Sequence, residues 1–176
     1  MALLMQMARW ITIVLAISVP AFWMIGQWAA DATQDWRMSR IPALLAASEI
    51  TYSSEVGGAP GPGANEGGLA AYALPDATVA ALERQGLDFL ATPDLAWHPT
   101  PLGGPSGEAL TDPATGHPDI RRFIERYVSV ALDPAIERSL NEALATPGTY
   151  YAFPRDGISV VIVAPSMARA FFAYNG

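Results

Sequence analysis

Residues 10–30 constrain this chain most, because they form a run of 21 residues without a single charged side chain. At about 1.5 Å of rise per residue, a helix of that length extends roughly 30 Å, the thickness of the hydrocarbon core of a bilayer. The run therefore predicts one transmembrane helix. The rest of the chain must then fold beside a membrane.

The start of the chain also has the layout of a secretory signal peptide. Arg9 precedes the apolar run, and Ala30, Asp31 and Ala32 give the small-x-small pattern of a cleavage site. The run is longer than the roughly 7 to 15 residues of a signal-peptide core. We therefore expect an uncleaved signal anchor, with a cleaved signal peptide as the alternative.

Four tryptophans and one proline mark the predicted helix and its ends. Trp10 at one end and Trp23, Trp28 and Trp36 toward the other place indole rings near the two headgroup levels, where aromatic residues anchor membrane helices. Pro20 removes one backbone hydrogen bond in the middle and favours a kink. The helix contains no His, Asp, Glu or Cys, so we expect an anchor and packing surface that holds no cofactor.

The arginines flanking the helix leave its orientation nearly balanced under the positive-inside rule, with Arg9 on one side and Arg37 and Arg40 on the other. We expect the short tail inside and the acidic domain outside, in a bacterial inner membrane. The expected parts are a cytoplasmic tail (1–9), a transmembrane helix (10–30), a membrane-proximal segment (31–56), a Gly/Pro linker or loop (57–68) and a periplasmic domain (69–176).

Composition excludes several classes of function. The 10 basic residues are all arginine, Asp and Glu total 17, and the net charge is -7, a balance that repels nucleic acid. The chain has no cysteine, which excludes disulfides, CxxCH haem attachment and thiolate metal sites. We expect the lipid bilayer and other integral membrane subunits as partners, and no cofactor or metal.

Helices are predicted from caps and from apolar residues spaced three and four apart. Pro42 suits the first turn of a helix to about residue 49, and Asp76 suits the N-cap of a helix to residue 85. The cleanest periodicity covers 120–132, and Asp133 followed by Pro134 begins a helix that ends before residue 147. Ser166 is expected to cap a terminal helix at 167–174.

Strands are predicted at 50–56, 149–153 and 157–164, where β-branched and aromatic residues are frequent. Ile158 to Ala164 are almost all apolar, so the last of these strands should be covered on both faces and lie at the centre of the sheet. Residues 87–119 are rich in Pro and Gly and predict a long loop. The chain is therefore expected to form an α+β domain with about four helices and a short, mainly antiparallel sheet.

Two histidines are the only weak candidates for chemistry. His98 and His117 lie in the Pro-rich loop with several carboxylates nearby, a composition that suits a zinc site. No spacing such as HExxH is present, and each histidine is followed by proline. Ser166 lacks both glycines of a nucleophile elbow, so a capping role is preferred over catalysis.

Four aromatic side chains are candidates for docking a partner: Trp97, Phe171, Phe172 and Tyr174. A core position is the alternative for each. We expect a non-catalytic accessory or assembly subunit of a larger respiratory or photosynthetic membrane complex. The alternatives are a membrane-tethered periplasmic hydrolase that uses one of the histidines and an extracytoplasmic ligand-binding module.

Overall fold

A computed structural model describes residues 38–57 and 66–176. The predicted transmembrane helix, its tryptophans and the tail before it lie outside these ranges, and so does most of the predicted linker. Within the two ranges, no helix is long and apolar enough to cross a membrane. Arg40–Gly176 form one compact unit, which contains all the elements given below.

The unit is built on a six-stranded antiparallel sheet in the order β1-β2-β6-β5-β4-β3. Its strands are β1 (Ile50–Val56), β2 (Gly67–Ala73), β3 (Trp97–Pro99), β4 (Tyr150–Ala152), β5 (Ser159–Ala164) and β6 (Arg169–Asn175). The predicted α+β class and the three predicted strands are confirmed. As expected from its apolar sequence, β5 lies inside the sheet and all of its residues are buried.

Five α-helices occur in the described ranges: α1 (Asp76–Gln85), α2 (Leu87–Leu90), α3 (Gly104–Gly107), α4 (Ile120–Ile124) and α5 (Pro134–Ala145). Helix α5 confirms its prediction, because the Asp133 carboxylate accepts a hydrogen bond from the Ala135 amide at 2.7 Å. Helix α1 also has the predicted length. Its N-cap, however, is Pro75, and Asp76 lies in the first turn, where its charge suits the helix dipole.

The predicted terminal helix at 167–174 is wrong, because these residues belong largely to strand β6. Pro165–Met167 form a short 3₁₀ turn, and Ala168 ends it in the left-handed region at φ 50°. The chain then runs back between β2 and β5 and pairs with both. Backbone pairing on two sides outweighs local helix propensity, and Ser166 lies exposed in the turn with no helix to cap.

Strand β1, which precedes the expected linker at 57–68, belongs to the same sheet as the later strands. Strand β1 pairs with β2 in antiparallel register, and Gly67 and Gly68 already belong to β2. The expected helix at 42–49 is also wrong, since only Ala43–Leu45 form a 3₁₀ turn. Beyond it, the Ser48 amide donates to the Ala73 carbonyl, and the Glu49 carbonyl accepts from the Ala73 amide. Residues 48 and 49 are therefore hydrogen-bonded to the end of strand β2 and are not helical.

Helix α4 ends at Ile124, eight residues before the predicted end at 132. The carbonyl of Phe123, which a longer helix would use internally, accepts a 2.7 Å hydrogen bond from the Asn175 side-chain amide. The amide of Val130 donates to the Glu125 carboxylate at 3.2 Å. Tyr127 is consequently 53% exposed and does not reach the core.

Segment 87–119, predicted as one long loop, contains several short elements. Helix α2, strand β3 and helix α3 lie within it, and Glu108–Leu110 form a 3₁₀ turn. Strand β3 extends the sheet by pairing with β4. The segment is therefore part of the folded domain.

One face of the sheet carries the main core, together with buried side chains from α4 and α5. These include Leu69, Phe123, Ile124, Leu140, Leu144, Val160, Ile162 and Phe171. Residues of the opposite face, such as Val161 and Phe172, are also buried. The sheet is thus covered on both faces over its central strands.

Gly67→Ala should destabilise the domain by roughly 1–3 kcal/mol through overpacking. A Cβ atom at Gly67 would lie 2.8 Å from Val128 Cγ1 and 3.0 Å from the Ile124 carbonyl oxygen. Gly57→Ala is the matched control, because a Cβ atom there meets no described residue within 4 Å. Urea unfolding of the full-length chain in detergent measures both variants. Equal unfolding midpoints for the two variants would contradict this account of the packing.

Candidate functional site

His98 lies on strand β3, beside the core. It is paired in register with Tyr151, and the two rings are 5.3 Å apart between centroids. Tyr151 is only 1% exposed, and burial raises the pKa of its hydroxyl because the charged form is poorly solvated there. The observed contact of His98 is therefore an aromatic packing contact.

His117 lies in an exposed turn before α4. Its carbonyl accepts a hydrogen bond from the Asp112 amide at 2.8 Å. Its side chain lines a cleft of about 450 Å³ that includes Glu137 and Glu142 but not His98. Within the described ranges, no group of three or more His, Asp or Glu residues is placed to hold a metal ion. The structure thus puts the two histidines at separate sites, and a catalytic role for either stays a prediction.

Trp97 lies at the edge of the sheet, in a cleft of about 570 Å³ shared with Leu87, Ala91 and Leu95. Leu87 is 37% exposed. Within the described ranges, the indole Nε1 of Trp97 is buried and has no hydrogen-bond partner. A buried donor without an acceptor is rare in proteins. Partner docking at Trp97 stays a prediction.

The aromatic residues of β6 are divided between the two faces of the sheet. Phe171 is fully buried in the main core, and Phe172 is 4% exposed on the opposite face. The Cζ atom of Arg40 lies 5.5 Å from the centroid of the Phe172 ring, and the Tyr174 ring lies 5.7 Å from it. Of these three aromatic residues, only Tyr174 is partly exposed. The two phenylalanines occupy core positions, and docking through Tyr174 stays a prediction.

A cleft of about 860 Å³ lies where three parts of the chain meet, and it is larger than the clefts at His117 and Trp97. Segment 105–109, the end of α4 and the end of the sheet all contribute to it. The lining residues are Pro105, Ser106, Glu108, Ala109, Arg122, Phe123, Glu125, Arg126, Phe153, Gly157 and Asn175. Apolar rings and charged groups are therefore combined in one concave surface.

Local hydrogen bonds hold the walls of this cleft in place. Asp119 caps α4 by accepting a hydrogen bond from the Arg122 amide at 2.9 Å. The Arg122 guanidinium donates to the Thr111 carbonyl at 3.0 Å, which ties α4 to the segment before it. Phe123 and Phe153 meet edge to face, with ring centroids 6.1 Å apart.

The charged groups around the cleft differ in how fully they are paired. Arg121 binds Glu137 through two hydrogen bonds and Glu125 at 2.9 Å, and these carboxylates raise the pKa of its guanidinium. Glu125 also accepts from the Val130 amide. Within the described part of the chain, the Arg126 guanidinium makes no hydrogen bond or ion pair, and its Cζ atom lies 5.4 Å from the centroid of the Tyr127 ring.

This cleft is difficult to predict from the sequence. Its walls come from segments that are far apart in the chain and meet only once the sheet has formed. The helical pattern predicted for 120–132 assigns Arg122 and Arg126 to a solvent-facing side. One local signal is present, since three of the chain's ten basic residues fall within 121–126.

Comparison with known protein families, curated proteins and solved structures gives no match to this chain. A function for it therefore has to be argued from its own residues.

Tyr151→Phe should make the stability of the domain less sensitive to alkaline pH. The pKa of Tyr151 is raised in the folded state above its ordinary value of 10.0. Above that pH the unfolded chain loses the proton first, so the contribution of this group to stability is complete below pH 10 and is lost as pH rises. Thermal unfolding of the full-length chain between about pH 9 and 11.5 tests this. Identical pH slopes for wild type and variant would disprove it.

Proposed function

We propose that this chain is a non-catalytic, single-pass accessory or assembly subunit of a larger bacterial inner-membrane complex of the respiratory or photosynthetic type. The uncharged run at residues 10–30 carries the proposal, because a stretch of that length and polarity favours insertion into a bilayer. The domain from residue 69 onward then works on the periplasmic side. Its partners are the bilayer and other integral membrane subunits.

The composition of the run supports a packing role. Interfacial tryptophans such as Trp10 and Trp28 fix a helix at the headgroup levels, and Pro20 gives a bend that can follow the surface of a neighbouring helix. Charged residues inside membranes mark conduits and proton relays, and this run contains none. The segment suits a helix that anchors the chain and packs against other subunits.

The described domain offers one surface that suits contact with another protein. At the cleft around Trp97, an unpaired indole donor lies beside the exposed side chain of Leu87. Tryptophan is enriched at the energetic centres of interfaces, where its ring fills a pocket and its N–H finds an acceptor.

Purification through a C-terminal tag in mild detergent should recover this chain together with other integral membrane proteins in fixed ratio. The tag needs a flexible spacer, because the Gly176 amide donates to the Glu66 carbonyl at 2.7 Å. Mass spectrometry identifies the recovered chains. A monomer free of partners after gentle solubilisation would rule out the subunit proposal.

Two variants separate this proposal from its rivals in the same experiment. Leu15→Arg with Ile17→Arg should abolish membrane retention, because each central charge costs about 2.5–3.5 kcal/mol of insertion free energy. The double variant His98→Ala with His117→Ala should leave unchanged both the set of chains that co-purify and the activity of the purified complex. Loss of activity with the complex intact would favour the periplasmic hydrolase instead.

The orientation has its own test. Protease added to intact spheroplasts should degrade the domain from residue 69 to its end, while a cytoplasmic marker protein stays intact. Immunoblotting against the C-terminal tag follows the digestion. Full protection, reversed by detergent lysis, would place the domain in the cytoplasm and contradict the proposed orientation.

A further inference from the structure

The 860 Å³ cleft presents two guanidinium groups with unused hydrogen-bonding capacity. Among the described residues, the Arg126 side chain makes no hydrogen bond or ion pair, and the Arg122 guanidinium donates only to the Thr111 carbonyl. Each guanidinium carries five donors in a planar fork that matches a carboxylate. In a chain of net charge -7, two arginines in a concave surface that make no ion pair with the described carboxylates favour an anionic ligand.

The same cleft offers an apolar surface for the body of such a ligand. Phe123 is 7% exposed and meets Phe153 edge to face, and Pro105 and Ala109 also line the cleft. A volume of about 860 Å³ lies within the range of roughly 300–1,000 Å³ that is typical of small-molecule sites. Aromatic rings prefer offset or edge-to-face contacts of this kind. The apolar part of the cleft therefore suits an aromatic ring.

The acidic residues of the cleft limit the charge that a ligand can carry. Glu125 is paired with Arg121 and accepts from the Val130 amide, and it makes no hydrogen bond or ion pair with Arg122 or Arg126. Glu108 also lines the cleft and is exposed, and its carboxylate makes no hydrogen bond or ion pair with another described residue. Its charge disfavours a second negative group on the ligand. The balance favours one anionic group over two.

We propose that this cleft is a binding site for a small aromatic monocarboxylate. The carboxylate of the ligand accepts hydrogen bonds from the Arg122 and Arg126 guanidinium groups, and its ring packs on Phe123 and Phe153. The site lies entirely in the described domain and does not depend on the membrane anchor. It would give the chain a ligand-binding function beside its role as a subunit.

Isothermal titration of the full-length chain in detergent tests the site with three probes of similar ring size. Naphthalene-2-acetate should bind one-to-one with a Kd below about 1 mM. The neutral naphthalene-2-acetamide and the dianion naphthalene-2,6-dicarboxylate should each bind about tenfold more weakly, since one lacks the charge–guanidinium pairs and the other brings a second charge toward Glu108. Protein-free micelles give the blank.

Arg126→Gln should weaken naphthalene-2-acetate binding about tenfold or more and leave the thermal unfolding midpoint unchanged, because Arg126 is exposed and makes no hydrogen bond or ion pair with a described residue. Arg84→Gln is the matched control: Arg84 is also exposed but lies at the end of α1, and its replacement should change nothing. Absence of saturable binding, equal affinity for the acid and the amide, or equal affinity of wild type and Arg126→Gln would each overturn the proposal.

Discussion

The close approach of α4 to the sheet is the contact on which the rest of the domain depends. The side-chain amide of Asn175 is buried at the end of β6 and donates to the Phe123 carbonyl, which lies in the last turn of α4. Next to it, Gly67 leaves no room for a side chain beneath Ile124 and Val128. These two positions end the helix, close the core over β2 and β6, and set one wall of the large cleft. A single buried polar contact thus links the termination of a helix to the geometry of a candidate binding site.

Elements with strong local signals could be predicted from the sequence. Helix α5 has an aspartate cap and a proline in its first turn, and both act within a few residues of each other. Strand β5 is a short apolar run bounded by turns, and such a run remains a central strand in almost any sheet that buries both faces. The α+β class follows from these elements, since each needs a partner to cover its apolar surface.

Elements decided by distant contacts could not be predicted in this way. The residues of β6 have good helix formers among them, and only pairing with β2 and β5 makes them a strand. The periodic pattern after α4 continues to residue 132, but Asn175, which is 52 positions from Phe123, accompanies the end of the helix by binding the Phe123 carbonyl. The large cleft is even harder to predict from local sequence patterns. Its arginines occupy a side of the pattern that normally faces solvent, and segment 105–109 has no helical periodicity that would direct it toward them.

Arginine replaces lysine throughout this chain, and this affects how the charged groups near α4 interact. A guanidinium stays charged at every physiological pH and forms planar, two-point contacts that an ammonium cannot make. Arg121 is held by two carboxylates and stabilises the junction of α4 with α5, whereas Arg126 extends from the same segment and is free of carboxylates in the described structure. Since no histidine lines the large cleft, its positive charge does not titrate near neutrality. Recognition of an anion there would be set by geometry and by the charge of the ligand, and a compartment of changing pH would leave it largely unaltered.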